Sequence, residues 1–348
     1  MKISELKVCI LGAGVMGNSI TQVFASKGYN VIIRDIQEKY LQGAKDEIER
    51  RLNRDVSRGR LSEEDSQEIQ SRISYSLNLD QALVNAALII EAIPEILNLK
   101  KGVLSEVSEK APEEAVIVSN TSSLSINLLS EAIVNPERFL GMHFFNPPTH
   151  MKLVEVIPGE KTSLNSIEKV KNFSESIGKT PIIAKDSPGF IVNRVLITYL
   201  NEAAKQLDEG FTINQIDSSM TYNAGMPLGP FLLMDLIGMD IVHHILKTFE
   251  EKIGSQYFPH HSIVKLYEDK KYGRKTGEGY HKYEKRVTSD ESIKDEYDHQ
   301  VLLKVLVEEA EKVVENGIAD NDSVDTAMKL GANIPKGPFE IKEELHGN

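Results

Sequence analysis

Residues 7–11, KVCIL, run directly into Gly12-Ala13-Gly14-Val15-Met16-Gly17, and apolar residues at helical spacing (Ile20, Val23, Phe24) follow at once. Few local patterns restrict a fold so tightly. A short, continuously apolar run suits a strand buried on both faces of a parallel sheet. Each glycine then has its own physical task. Gly12 permits the tight turn, Gly14 lets a ligand approach the backbone at the positive end of the helix, and Gly17 lets the helix pack closely on the sheet. A second strand, Asn30–Arg34 (NVIIR), is followed by Asp35, about the ~20 residues downstream at which a carboxylate meets the ribose hydroxyls of a dinucleotide. Gly12, Ala13, Gly14, Val15, Met16, Gly17 and Asp35 are therefore the expected dinucleotide site, with the pyrophosphate on the helix N-terminus. Asp35 would repel a 2′-phosphate, which favours NAD over NADP, while Arg34 beside it weakens that preference.

Strand and helix patterns alternate to about residue 160, with further strands expected at 87–91, 115–118, 138–143 and 152–157 and helices at 37–57, 62–70 and 96–109. Such alternation reads as a mostly parallel α/β sheet with helices on both faces, a Rossmann-type domain. Beyond Pro188-Gly189 the pattern becomes almost wholly helical, broken at Gly225-Met226-Pro227-Leu228-Gly229-Pro230. Residues 284–300 are polar and nearly free of aliphatic side chains, which predicts a linker or solvated loop. After it, Asp217, Met220 and Gly229-Pro230-Phe231 recur as Asp325, Met328 and Gly337-Pro338-Phe339, each 108 residues on (217 to 325). Glu202-Ala203 and Gly210 likewise recur as Glu309-Ala310 and Gly317. The expected organisation is an α/β domain over 1–186, an all-α domain over 187–284, a linker over 285–300 and a partial second copy of the helical domain over 301–348.

Charge narrows the partners. Lys and Arg number 40 against 52 Asp and Glu, a net charge of -12, and nucleic-acid binding needs the opposite balance. One cysteine, Cys9, excludes an intrachain disulfide framework and a cysteine-based zinc site. The N-terminal stretch lacks the long apolar run of a signal peptide, and no run approaches a membrane span, so a cytoplasmic protein without membrane contact is expected. The histidine pairs His243-His244 and His260-His261 should point apart on helices, and no HExxH spacing occurs, so no metal is expected.

Three segments carry unusual chemistry: Asn120-Thr121-Ser122-Ser123, Gly141-Met142-His143-Phe144-Phe145-Asn146-Pro147 and Lys152-Leu153-Val154-Glu155. His143 closes an expected strand, at the sheet edge where such folds bind cofactor. A return after Pro147-Pro148 would bring Glu155 to it. A histidine oriented by a carboxylate is a general-base pair, suited to taking a hydroxyl proton while hydride leaves. By spacing alone His143 is as readily a satisfied structural histidine.

Taken together, GAGVMG, NTSSLSI, GMHFFNPP, MKLVEVI, KDSPGFIVNR, GMPLGPF and RKTGEGYHKY resemble the 3-hydroxyacyl-CoA dehydrogenase family, to about residue 283. The resemblance implies NAD-dependent, reversible oxidation of an L-3-hydroxyacyl-CoA, with the short-chain 3-hydroxybutyryl type as the expected substrate. It implies His143 as base with Glu155 as its partner, Ser122 at the reacting oxygen and Asn193 on the acyl group. Glu95, Lys100, Ser122 and Asn146 would lie near the cofactor's ribose and nicotinamide. CoA is anionic, and the run RRLNRDVSRGR (50–60) is the basic patch that would meet it, with Arg51 and Arg58 at the matching positions. The implied assembly is a monomer closed by intrachain repeat packing, or a homodimer, with association or fusion to an enoyl-CoA hydratase. Two other readings remain open: a dehydrogenase of a free hydroxy or sugar acid, and a non-enzymatic NAD-binding protein.

Overall fold

The computed structural model describes residues 3–347. It divides into two compact units, one ending at Asp186 and the other beginning at Ser187. In the first unit the strands β1 (Lys7–Leu11), β2 (Asn30–Arg34), β3 (Ile73–Ser76), β4 (Ala86–Glu91), β5 (Val116–Ser119), β6 (Phe139–Phe144), β7 (Leu153–Pro158) and β8 (Thr180–Ile183) form one sheet in the order β3-β2-β1-β4-β5-β6-β7-β8. All neighbours are parallel except β6 and β7. The helices are α1 (Val15–Ser26), α2 (Glu38–Ser57), α3 (Glu63–Ser71), α4 (Leu79–Leu83), α5 (Leu97–Lys110), α6 (Ile126–Ser130) and α7 (Leu164–Ser176).

Burial explains which elements the sequence announces. Val8, Ile10, Leu88, Ile90 and Val118 of the central strands are fully or almost fully buried, and their continuous apolar runs are visible in the chain. Helix α2 places Leu41, Ala44, Ile48 and Leu52 in the same core at spacings of three and four, and turns its charges outward. The strands not anticipated, β3 and β8, are the two edges of the sheet. They are partly exposed, and β8 carries Pro181, which an edge strand tolerates because it lacks a second neighbour.

The order of strands reverses between β1 and β4, the point at which such sheets open a crevice beyond the strand C-termini. The loops after β1, β2, β4, β5 and β6 all leave this edge, because these strands are mutually parallel. Residues far apart in sequence are thereby gathered on one side of the sheet.

The second unit comprises α8 (Val192–Lys205), α9 (Ile213–Tyr222), α10 (Pro230–Ile237), α11 (Met239–Lys252), α12 (His261–Glu268), α13 (Gln300–Glu315), α14 (Asn321–Gly331) and α15 (Pro338–Gly347). The repeated motif has a structural basis. Asp217 accepts the first-turn N–H groups of Phe231 (2.8 Å) and Leu232 (3.3 Å), and Asp325 accepts those of Phe339 (2.8 Å) and Glu340 (3.3 Å). In each case a Cβ on the glycine before the proline, Gly229 or Gly337, would stand 2.3 Å from the aspartate. Aspartate, glycine and proline are thus parts of one helix-start device, used twice. Helices α8 and α13 are joined by Arg194, which pairs with the buried Glu309, and Tyr257 hydrogen-bonds both (2.7 and 2.8 Å).

Residues 284–300 differ from the solvated loop expected. The Ser219 hydroxyl donates to the carbonyl of Tyr297 (2.6 Å), the Asp290 N–H donates to Ser218 (3.0 Å), and Tyr297 packs edge-on against Phe211. Polar side chains of α9 hold the strap, so it needs few aliphatic residues of its own. Among the described residues no helix is long and apolar enough to cross a membrane.

Candidate active site

The loop after β1 has the shape its glycines require. Gly12 adopts φ +103°, and a Cβ there would meet the Ala92 carbonyl at 2.6 Å, while a Cβ on Gly17 would stand 1.8 Å from the Gly12 carbonyl oxygen. A Cβ on Gly14 would instead enter open space, and Gly14 caps α1 without any side-chain bond to the helix. Ala13, Val15 and Met16 complete this turn. Asp35, just beyond β2, accepts the N–H of Ala13 (2.8 Å) and of Ile36 (2.7 Å), so its carboxylate is fixed against the glycine turn. An open helix N-terminus beside a fixed carboxylate suits a dinucleotide with unmodified ribose hydroxyls.

His143 and Glu155 stand opposite each other on the antiparallel pair β6 and β7. The ring Nδ1 and the carboxylate Oε2 are 2.7 Å apart, with Glu155 fully buried and His143 5% exposed. The Phe145 ring lies 4.5 Å from the imidazole, centroid to centroid. A carboxylate at Nδ1 favours the tautomer that carries its proton on Nδ1 and the lone pair on Nε2, and it stabilises the imidazolium that forms when Nε2 takes a proton. Asn120, just after β5, braces this strand end, its Oδ1 accepting the N–H of Phe144 (2.9 Å).

Ser122 sits in a turn organised by Glu95. Glu95 Oε1 accepts the N–H groups of Ser122 (3.0 Å) and Ser123 (3.1 Å) and the hydroxyls of Thr121 (2.5 Å) and Ser123 (3.0 Å). Lys100 holds Glu95 from behind, with Nζ 3.2 Å from Oε2, and also donates to Glu91 (2.6 Å) and to the Ile93 carbonyl (3.1 Å). Burial alone would raise the Glu95 pKa, but Lys100, Thr121 and Ser123 together bring it below the ordinary glutamate value. Lys100 is 1% exposed and its three donors all go to protein groups. Of the residues expected near the cofactor, then, Glu95 holds the turn after β5 and Lys100 is bonded to Glu95. Glu91 was not singled out from the sequence, although a carboxylate closing the apolar strand ALIIE was the available signal. Fully buried, it also accepts from Ser119 (2.6 Å) and from the Ile93 N–H (2.8 Å).

Asn146 is the second residue of the turn between β6 and β7, and Asn193 is the second residue of α8 in the helical unit. Arg51 does not extend freely from α2. Its guanidinium donates to Ser19 (2.7 Å) and bonds Asn18, both on α1, and pairs with Glu47 (3.2 Å). Arg58 caps the C-terminus of α2 and is exposed. His260 and His261 do not diverge as expected, because His260 lies outside α12 as its N-cap, and their rings approach to 4.0 Å. With Asp208 they form the described residues' one candidate metal trio. Both nitrogens of His260 are already taken, Nδ1 by Ser262 (2.8 Å) and Nε2 by Asp208 (3.1 Å).

Known proteins resemble this chain in sequence and fold. Residues 7–187 match the NAD binding domain of 3-hydroxyacyl-CoA dehydrogenase, and residues 189–283 and 300–348 match its C-terminal domain. The sequence is 35% identical to the fatty acid oxidation complex subunit alpha of Psychrobacter arcticus, over 96% of this chain and 49% of that protein. The chain thus spans about half the length of the curated relatives it matches. The crystal structure of 3-hydroxybutyryl-CoA dehydrogenase from Escherichia coli superposes with a TM-score of 0.92 at 27% identity, covering 99% of this chain and 92% of that one. The (S)-3-hydroxybutyryl-CoA dehydrogenase of Ralstonia eutropha gives 0.78 at 36% identity, over 80% and 99%. With both of its family regions present in order, the chain belongs to the 3-hydroxyacyl-CoA dehydrogenase family.

Proposed function

We propose that this protein catalyses the reversible, NAD-dependent oxidation of L-3-hydroxyacyl-CoA to 3-ketoacyl-CoA, with short-chain, 3-hydroxybutyryl-type substrates. The observation that carries the reading is the buried His143–Glu155 pair at the crevice edge of the sheet. NAD, when bound, supplies the hydride acceptor. His143 takes the hydroxyl proton at Nε2, while Glu155 keeps the ring oriented and balances the imidazolium. Ser122 donates to the same oxygen and keeps it beside His143. Its position follows from the Glu95 carboxylate that holds its own N–H. Asn193 holds the acyl group. In the reverse direction the imidazolium returns the proton to the alkoxide. Arg58, exposed at the end of α2, is the better of the two arginines for an anionic CoA, since Arg51 is engaged with α1.

The test is NADH oxidation with acetoacetyl-CoA against free acetoacetate. Turnover of the CoA ester supports the proposal. Turnover of the free acid alone favours a hydroxy-acid dehydrogenase, and binding of NADH without turnover of either favours a non-enzymatic role. The relatives that are fatty acid oxidation complex subunits support a place beside an enoyl-CoA hydratase, whose product is the hydroxyacyl thioester used here.

A further inference from the structure

Lys179 stands immediately before β8, is 9% exposed, and has no carboxylate within ion-pair reach among the described residues. Its ammonium reaches instead into the turn between β6 and β7, donating to the carbonyls of Pro148 (2.5 Å) and Met151 (2.6 Å). A buried charge without a counter-ion is costly unless hydrogen bonds compensate it, so these two contacts have a large share in holding both partners in place. The turn they hold begins at Phe145, whose ring lies against His143, and Asn146. It closes on the Pro147 carbonyl, which accepts from His150 and Met151 (both 3.0 Å), and is tied to β8 by the Thr180 N–H on the Lys152 carbonyl (2.8 Å).

We propose that Lys179 is a positioning residue for this site, clamping the β6–β7 turn so that Asn146 and Phe145 are presented to the nicotinamide end of the cofactor. The inference rests on the NAD-dependent reading above. Titratable groups on the surrounding elements are Lys27 at the end of α1, Glu175 near the end of α7, and His150 and Lys152 in the turn. None pairs with the ammonium. Burial, and then the like charge of Lys27, lowers the Lys179 pKa to about 8. Above that pH the clamp keeps only neutral-donor bonds, which are roughly half as strong as charge-assisted ones.

The sign separates the clamp from global stability. Because the folded pKa lies below that of an unfolded lysine, the unfolded chain binds more protons between the two values. Rising pH therefore favours the fold at this position, whereas it weakens the clamp's hydrogen bonds, so the two effects of this residue have opposite signs.

NADH binding is followed by titrations that read the cofactor's own fluorescence. They are run from pH 6.5 to 9.5 on the wild type, Lys179→Arg and Lys179→Met. We expect the wild-type Kd to rise about tenfold across pH 8, the loss of one charge-assisted contact. Lys179→Arg should flatten that rise, and Lys179→Met should bind about tenfold more weakly at pH 7 with no such rise. Hydrogen exchange of the peptide spanning 145–152 is measured at pH 7 on the same proteins and should quicken in Lys179→Met alone. Identical affinities and pH profiles in all three overturn the proposal. If the wild type binds no NADH, the cofactor reading fails, and unchanged exchange in Lys179→Met then overturns the clamp separately. If Lys179→Met does not fold, the comparison of the wild type with Lys179→Arg decides.

Discussion

Glu155→Gln probes the proposed chemistry with almost no change of shape. The carboxylate lies 2.7 Å from His143 Nδ1 and is fully buried, which sets the charge centres about 4 Å apart. At an effective dielectric of about 20 this attraction amounts to about 4 kcal/mol. Part of it is offset by the cost of burying the carboxylate, leaving about 3 kcal/mol for the imidazolium, or about 10²-fold in rate at ~1.4 kcal/mol per decade. The glutamine amide also offers an N–H to Nδ1, favouring the tautomer whose Nε2 already carries a proton, so kcat should fall by about 10²–10³. With acetoacetyl-CoA and NADH the imidazolium is the acid. NADH affinity at neutral pH should stay within a factor of about two, because Glu155 is placed on the imidazole and not on the cofactor. A kcat within threefold of wild type would refute the base-pair reasoning.

Four further outcomes follow from the geometry. Asp35→Ala should relax the preference for NADH over NADPH, since the carboxylate fixed on Ala13 N–H is the group proposed to repel a 2′-phosphate; an unaltered ratio of kcat/KM values counts against it. Lys100→Met leaves the buried Glu91 without its cation and should cost about 3 kcal/mol, some 6–12 °C in Tm for a unit of this size; a shift below 2 °C in thermal unfolding contradicts the network. Glu95 has a depressed carboxyl pKa, so its contribution to stability is complete above the unfolded value and is lost as pH falls through the folded one. Acid titration of Glu95→Gln, followed by circular dichroism, should lack that part of the acid limb, and an unchanged curve sinks the assignment. Deleting residues 290–348 uncovers α8 and strands the buried Arg194, so light scattering should find dimers or aggregates; a stable, soluble monomer speaks against cis-coverage.

The sequence was most legible where one physical demand falls on consecutive residues. KVCIL and GAGVMG announce a buried strand, a tight turn and a close-packed helix because each of those positions admits few side chains. His143 and Glu155 were legible as candidates since a turn-forming Pro147-Pro148 lies between two strand patterns. Edge strands β3 and β8 were not, because partial exposure removes the continuous apolar run. Glu91 was passed over for a related reason: one acidic residue ending an apolar strand looks like a strand terminus until Lys100 and Ser119 are seen to converge on it.

Sequence by itself determined the glycine turn, the carboxylate Asp35 after the second strand, the change to an all-helical region and the repetition of Asp217 and Gly229-Pro230-Phe231 108 residues later. These are local demands, set by backbone conformation and by spacing along one element. Tertiary structure alone decided the register that sets His143 opposite Glu155, the inward turn of Arg51 to α1, the burial of Lys100 between Glu91 and Glu95, and the reach of Lys179 into the β6–β7 turn. The reason is the same in each case. A charged side chain is a surface group by default, and only the packing of distant elements around it can remove water and supply the partner that makes its burial tolerable.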